Sequence, residues 1–169
     1  LRSDWERIVL GQSIVEILDK STFENNKLPI LYRLCWRVLD KINSPAQNYW
    51  LIFTFYLYQL SLILGFMPNL QTCCKCKNIL YNANIDKYTG ELICNNCSNN
   101  SILSINNDCL IFLQKLETLH LDNVDSLIND SLEIYHAIHF LILFLCIHID
   151  GMNHVYSFNL VRKLFKNYT

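Results

Sequence analysis

A chain of 169 residues with 51% hydrophobic and only 17% charged side chains is long enough to bury a substantial core, which excludes both a disordered tail and a highly charged, solvated helix. A formal net charge of −1 supplies no overall attraction to nucleic acid or to an anionic membrane surface, so any nucleic-acid contact has to come from local basic patches or from a partner. Four glycines and three prolines are too few to punctuate many short strands, and long helices are expected instead.

In chain order, Ser3-x-x-Glu6 reads as a capping box. Leu10, Ile14, Ile17 and Leu18 then share one helical face, with Gln12, Glu16 and Lys20 opposite. Leu1 stands where a start methionine would, and no signal peptide pattern precedes the helix, so the expectation is a domain cut from a longer chain. Residues 21–27 form a polar loop, and Pro29 opens a second helix through Leu31, Leu34, Cys35 and Val38 to about Lys41. Ser44-Pro45 is read as the start of a third helix over residues 46–64, ended by Gly65. That run is nearly long enough to span a bilayer. Thr54, Gln59 and Ser61 interrupt it, however, and no basic cluster flanks it, so a buried core helix is expected and no membrane contact. Its aromatic residues Tyr49, Trp50, Phe53, Phe55, Tyr56 and Tyr58 are then core rather than base-stacking groups, with some tyrosine hydroxyls near the surface.

Residues 66–72 lead into a cysteine segment from Cys73 to about Asn100, whose interior predicts two short strands with a turn near Thr89-Gly90. The Asn-rich tracts at 95–107 read as loop. A helix over 107–119 follows, then a long helix over 131–149 capped by Asp130 and closed by Asp150-Gly151, and a last short helix over 157–165. The apolar run Ala137–Ile149 contains His139 and His148 and is too short to span a membrane.

Of the eight cysteines, four fall into Cys73-x-x-Cys76 and Cys94-x-x-Cys97, separated by 17 residues. This is zinc-ribbon spacing: each pair occupies a tight knuckle, and the intervening hairpin brings the pairs together. Four thiolates complete a tetrahedron and leave no open position for water or substrate, so a structural zinc ion is expected rather than a catalytic one. Metal-free thiols, an iron–sulfur cluster and a redox dithiol are the alternatives, and the last lacks a thioredoxin-like setting. The paired spacing also argues for a reducing, cytoplasmic compartment rather than a secreted disulfide scaffold. Cys35, Cys109 and Cys146 sit in apolar surroundings and read as small buried hydrophobes, and Cys74 as a spectator between ligands. Residues 73–100 hold too few apolar side chains for a core of their own, so metal binding should supply much of their ordering energy. The expected fold class is mainly α: one domain over residues 1–169, a helical bundle with an inserted four-cysteine zinc ribbon of two short strands.

The run Gly65-Phe-Met-Pro-Asn-Leu-Gln-Thr-Cys73-Cys-Lys-Cys76, the run Gly90-Glu-Leu-Ile-Cys94-Asn-Asn-Cys97, the long apolar helix before them and the helices after them resemble the C-terminal helical zinc domain of the bacterial RecO family, over essentially the whole chain. The resemblance implies a DNA repair and recombination mediator, not an enzyme. Such proteins anneal complementary strands and, with RecR, load recombinase onto single-stranded DNA coated by single-strand-binding protein. It implies Cys73, Cys76, Cys94 and Cys97 as zinc ligands. It also implies an OB-fold on the N-terminal side that carries much of the contact to single- and double-stranded DNA. Two departures stand out. Lys77 replaces the glycine that usually follows the second cysteine, and no arginine or lysine follows Gly151 until Arg162 and Lys163.

Other groups weigh less. Lys75, Lys77 and Lys87 can offset the charge of a tetrathiolate site or meet phosphate. Arg33 and Arg37, one helical turn apart, can meet phosphate or an acidic tail, although a solvated face is the commoner outcome. Arg162 and Lys163 complete the candidate nucleic-acid or partner contacts. Glu133-x-x-His136 with His139 places metal-ligand types on one helix face, but a bundle metal site needs a second such motif, and none is present. The reading from another class is an intracellular zinc scaffold that bridges proteins and has no nucleic-acid role.

Overall fold

A computed structural model describes residues 2–22, 29–44, 48–99, 101–127 and 131–165. Helix α1 (Arg2–Ser21) buries Val9, Leu10, Ile14 and Ile17, the face that the periodicity predicts. Ser3 lies inside this helix rather than at its N-cap, contrary to the capping-box expectation. A capping side chain contributes only about 1 kcal/mol, too little to fix a boundary by itself. Helix α2 (Pro29–Asn43) buries Leu31, Cys35, Val38 and Ile42 and runs past Lys41.

Helix α3 (Tyr49–Ile63) is the centre of the bundle, in contact with α1, α2 and two later helices. Its N-cap is Asn48, whose side-chain oxygen accepts from the Leu51 amide at 3.1 Å. Ser44 is not the cap; its hydroxyl turns back to the Asp40 carbonyl, and Pro45 lies outside the described residues. Gly65, at φ +76°, ends the helix as expected. Its amide bonds to Leu62 and that of Phe66 to Ser61, the paired bonds that close a helix through a left-handed residue.

Every residue from Trp50 to Tyr58 is buried. The polar interruptions are each satisfied inside the protein: Thr54 donates to the Trp50 carbonyl at 2.7 Å, Ser61 to Leu57 at 2.9 Å, and Gln59 to Leu116 on a neighbouring helix. Tyr56 is fully buried, not near the surface, and its hydroxyl donates to the Ile14 carbonyl of α1 at 3.1 Å. With 15 residues, α3 falls short of a bilayer span.

After the cysteine segment, Asn106 caps α4 (Asn107–Glu117) by accepting from the Cys109 amide at 3.0 Å. Helix α5 (Ser131–His148) matches the helix expected over 131–149; although the run from Ala137 is short, the whole helix, with 18 residues and a mean hydropathy of 1.5, is by length and composition long and apolar enough to cross a membrane. It packs against α3 and α4 and buries Ile134, Ile138, Phe140, Leu141, Phe144 and Leu145. Asp130 lies outside the described residues. The chain turns at Gly151 (φ +78°) into α6 (Ser157–Phe165), which packs on α1. Glu16, expected merely to face solvent, holds that contact together: its carboxylate accepts from the Ser157 amide at 3.1 Å and hydroxyl at 2.9 Å. Burial opposes its ionisation, but these bonds outweigh it and hold the carboxyl below its ordinary range.

Three antiparallel strands, in the order β2-β1-β3, form the small sheet: β1 (Ala83–Asp86), β2 (Leu92–Ile93) and β3 (Ser101–Ile105). Asn84 faces Ile93 and Ile85 faces Leu92 across the hairpin, while Ala83 faces Ile105 on the other side. The third strand replaces the loop expected at 101–105. Ile85, Leu92, Ile93 and Ile105 join the same hydrophobic core as the helices, so the sheet shares the bundle's interior. The architecture is therefore mainly helical with a small inserted sheet that carries the cysteine knuckles.

Candidate metal centre

The first knuckle is built by backbone bonds around Cys73. The Cys73 amide donates to Asn78 at 2.8 Å, the Lys77 amide donates to Cys73 at 3.0 Å, and Leu80 donates to Gln71 at 2.8 Å. Lys77 adopts φ +62°, the left-handed conformation that a glycine would supply there. The turn is thus kept despite the lysine, at a conformational cost of about 1 kcal/mol relative to glycine. The second knuckle is the single 3-10 turn Asn95–Cys97, closed by the Cys97 amide on the Cys94 carbonyl at 3.0 Å.

Three further ties bring the knuckles together. The Cys74 amide donates to Leu92 of β2 at 2.9 Å, and the Cys94 amide donates to Cys73 Sγ at 3.3 Å. Asn84 of β1 donates to the Asn95 side chain at 2.7 Å, fixing the second knuckle on the sheet. Asp86 closes the hairpin: one carboxylate oxygen accepts from the Tyr88 and Thr89 amides at 3.1 and 3.2 Å, the other from Lys75 at 3.3 Å. Those amide bonds, the Tyr88 one foremost, hold the Asp86 carboxyl below its usual range.

As a result the sulfurs of Cys73, Cys76, Cys94 and Cys97 all lie within 4.8 Å of one another, and Cys76 and Cys94 are 3.7 Å apart. Cys73 is buried, Cys94 and Cys97 are half-buried and Cys76 is exposed. Around one ion with metal–sulfur bonds of about 2.3 Å, tetrahedral thiolates stand roughly 3.8 Å apart. A disulfide needs about 2.05 Å, and a multi-iron cluster interposes sulfide and spreads its cysteines further. The spacing fits a single ion. Among the described residues no carboxylate or imidazole joins this cluster, so the donor set is four sulfurs.

The electrostatics agree. Burial disfavours a thiolate at Cys73, but amide donors from Cys76, Cys94 and Lys75 outweigh it and bring the thiol down to about 6. Hydrogen bonds with the Cys94 and Cys76 sulfurs, aided by burial and by charge on Cys73, push Cys97 up to about 12. Four sulfurs this close cannot all ionise on their own, and a central cation removes that obstacle. The remaining thiols behave differently: burial raises Cys35 and Cys146, and takes Cys109 to about 12, which leaves them unreactive. Cys35 and Cys109 are buried in the core as expected, whereas Cys146 is only half-buried against it. The Cys74 sulfur lies outside the cluster.

The basic candidates lie on three parts of the fold: α2, the cysteine segment and α6. Arg37 pairs with Asp122 at 3.1 Å and Lys75 with Asp86 at 3.3 Å. Arg33 lines a groove of about 260 Å³ between α2, α3 and the segment after α4, with Ile30, Leu34, Phe55 and His120. Lys77 and Lys87 are exposed on the metal module, and Arg162 and Lys163 on α6. His136 and His139 both pack near Tyr135; burial, Arg162 and His136 hold His139 below the ordinary histidine range. Sequence reasoning missed Asn84, Asn95 and Asp86. Only Asp86 carried a local signal, the Asp-x-x-Thr-Gly turn pattern, because the asparagines act across strands.

Comparison with known proteins agrees with this geometry. Residues 2–151 match the family described as "Recombination protein O C terminal". A segment of 72 residues, 43% of this chain, is 29% identical to the DNA repair protein RecO of Prosthecochloris aestuarii, of which it covers 27%. A segment of 99 residues, 57% of this chain, is 32% identical to the DNA repair protein RecO of Syntrophomonas wolfei, of which it covers 38%. The chain thus spans well under half the length of these relatives. With the helical bundle, the four-sulfur cluster and the match over residues 2–151 all in agreement, the chain belongs to the RecO C-terminal domain family.

Proposed function

We propose that this chain is the helical, zinc-holding domain of a RecO-like recombination mediator. In this reading the mediator works in the bacterial cytoplasm, annealing complementary strands and, with RecR, loading recombinase onto single-stranded DNA coated by single-strand-binding protein. The observation that carries the reading is the family match over residues 2–151, which contains both cysteine pairs. Both matched relatives are named as DNA repair proteins.

Zinc is the metal of this reading, held by Cys73, Cys76, Cys94 and Cys97. A closed shell of four thiolates suits a redox-inert structural ion and offers no water to activate, so the domain acts by binding rather than by catalysis. When bound, the ion neutralises the sulfurs and clamps the hairpin, while residues 1–169 act as one unit. An OB-like segment on the N-terminal side of the longer protein would carry most contacts to single- and double-stranded DNA. Arg33, Arg37, Lys75, Lys77, Lys87, Arg162 and Lys163 are the local candidates for DNA or partner contact. Arg33, Lys77 and Lys87, for which no acidic partner is found among the described residues, are favoured over Arg37 and Lys75, which have acidic partners.

The test is strand annealing by the protein expressed from its full reading frame. It should speed pairing of complementary oligonucleotides coated by single-strand-binding protein, and added salt should weaken its binding to the bare strands. A folded, metal-loaded protein that neither binds single strands nor speeds pairing would overturn the reading and leave a protein-bridging scaffold.

A further inference from the structure

The sheet meets the helical bundle near the C-terminal end of α5, and one contact there is chemically unusual. The β1–β2 hairpin turns at Gly90, which is buried with φ +70°. A Cβ added there would lie 2.6 Å from His148 Nε2 and 3.4 Å from Phe144 Cε2. The backbone of the turn therefore rests directly on the imidazole. Phe66 stacks on the same ring with centroids 5.2 Å apart and planes 13° from parallel, and Phe144 packs against it at 4.4 Å. His148 Nε2 is shut off from solvent and has no hydrogen-bond partner among the described residues. Buried polar atoms are nearly always bonded, so an orphan at this junction calls for a physical reason.

We propose that His148 is a proton-sensitive latch: its neutral imidazole holds the metal hairpin against α5, and protonation of the ring releases the hairpin. A neutral ring offers flat faces that suit Phe66 and Phe144, and a small polar edge that fits beneath a residue without a side chain. An imidazolium would hold a full charge away from solvent with no acceptor at Nε2 among the described residues, a cost that the attraction of the phenyl faces for a cation offsets only in part. Glu91, on the hairpin, is the charged group that acts on the ring and favours the proton. Phe66 and its neighbours Gly65 and Met67 bring no charge, nor does Phe144 on α5. Burial outweighs Glu91 and holds His148 below the ordinary histidine range. The docked state therefore binds the proton less well than the released state. Docking is complete above a pH of about 6.5, the ordinary histidine value, and is lost progressively as pH falls below it.

The experiment uses the zinc-loaded chain from about pH 7.5 to about pH 5, following the His148 ring proton by NMR, hairpin amide protection over residues 86–93, and zinc content. His148 should titrate below its ordinary range. Hairpin protection should fall by up to about tenfold per pH unit below 6.5 while zinc stays bound. In His148→Phe, which keeps a stacking ring without a titrating group, that slope should flatten. An imidazole titrating at or above the ordinary value overturns the latch, as does an equal slope in His148→Phe or loss of protection only in step with zinc release. If His148→Phe does not fold, the wild-type imidazole titration and its timing against zinc release still decide.

Discussion

Replacing Cys94 by serine should strip the metal from the protein and loosen the hairpin in the same step. Its sulfur stands 3.7 Å from that of Cys76 and within 4.8 Å of the other two, so the change removes one of the four donors. A serine hydroxyl stays protonated at neutral pH and is a poor replacement for thiolate. Metal content should drop from about one ion per chain to near none, because a structural ion's binding energy is also folding energy. The thermal midpoint should fall by more than about 10 °C, taking about 2–4 °C per kcal/mol for a chain of this size. Cys74→Ser is the control: its sulfur lies outside the cluster, so metal content should hold. An unchanged melting curve in Cys94→Ser would contradict a structural role for the site.

The second large effect lies in the helical core. Phe140 is fully buried on α5 and packs against Phe144 with ring centroids 5.8 Å apart, on the helix that joins α3, α4 and the sheet. Phe140→Ala removes a whole ring from a close-packed interior and should cost about 3–5 kcal/mol, lowering the thermal midpoint by about 6–20 °C. Phe140→Leu should cost only about 1–1.5 kcal/mol. Both variants should still bind metal one to one, because no cysteine ligand changes. If Phe140→Ala lost its metal as completely as Cys94→Ser, the ion and the helical core would be a single cooperative unit rather than two supports for one structure.

What could be read from the residues, and what could not, divides along the range of the forces involved. The cysteine pairs were legible because two thiolates on one ion impose a short, fixed spacing, and the second pair repeats it. The helical faces of α1 and α2 were legible for the same reason, since Leu10, Ile14 and Ile17, or Leu31, Cys35 and Val38, are set by local periodicity. Capping signals were less dependable: Ser3 carries the right chemistry but lies within α1, and α3 is capped by Asn48 rather than by Ser44. Strand β3 was hidden because Ser-Ile-Leu-Ser-Ile sits among asparagines and becomes a strand only by pairing with β1, from which it is separated by a whole hairpin. The bond between Glu16 and Ser157 joins residues 141 positions apart, and no local pattern announces it. Lys77 shows the converse case. A substitution that looked able to disturb the knuckle is absorbed, because the surrounding bonds hold the lysine at φ +62°.

X-ray absorption at the metal edge of the purified chain reads the number and kind of atoms around the ion directly. The expected result is zinc with four sulfur neighbours at about 2.3 Å and no lighter atom in the shell. A shell containing nitrogen or oxygen, or a protein that folds and melts normally with no bound metal at all, would contradict the claim that these four sulfurs meet on one ion.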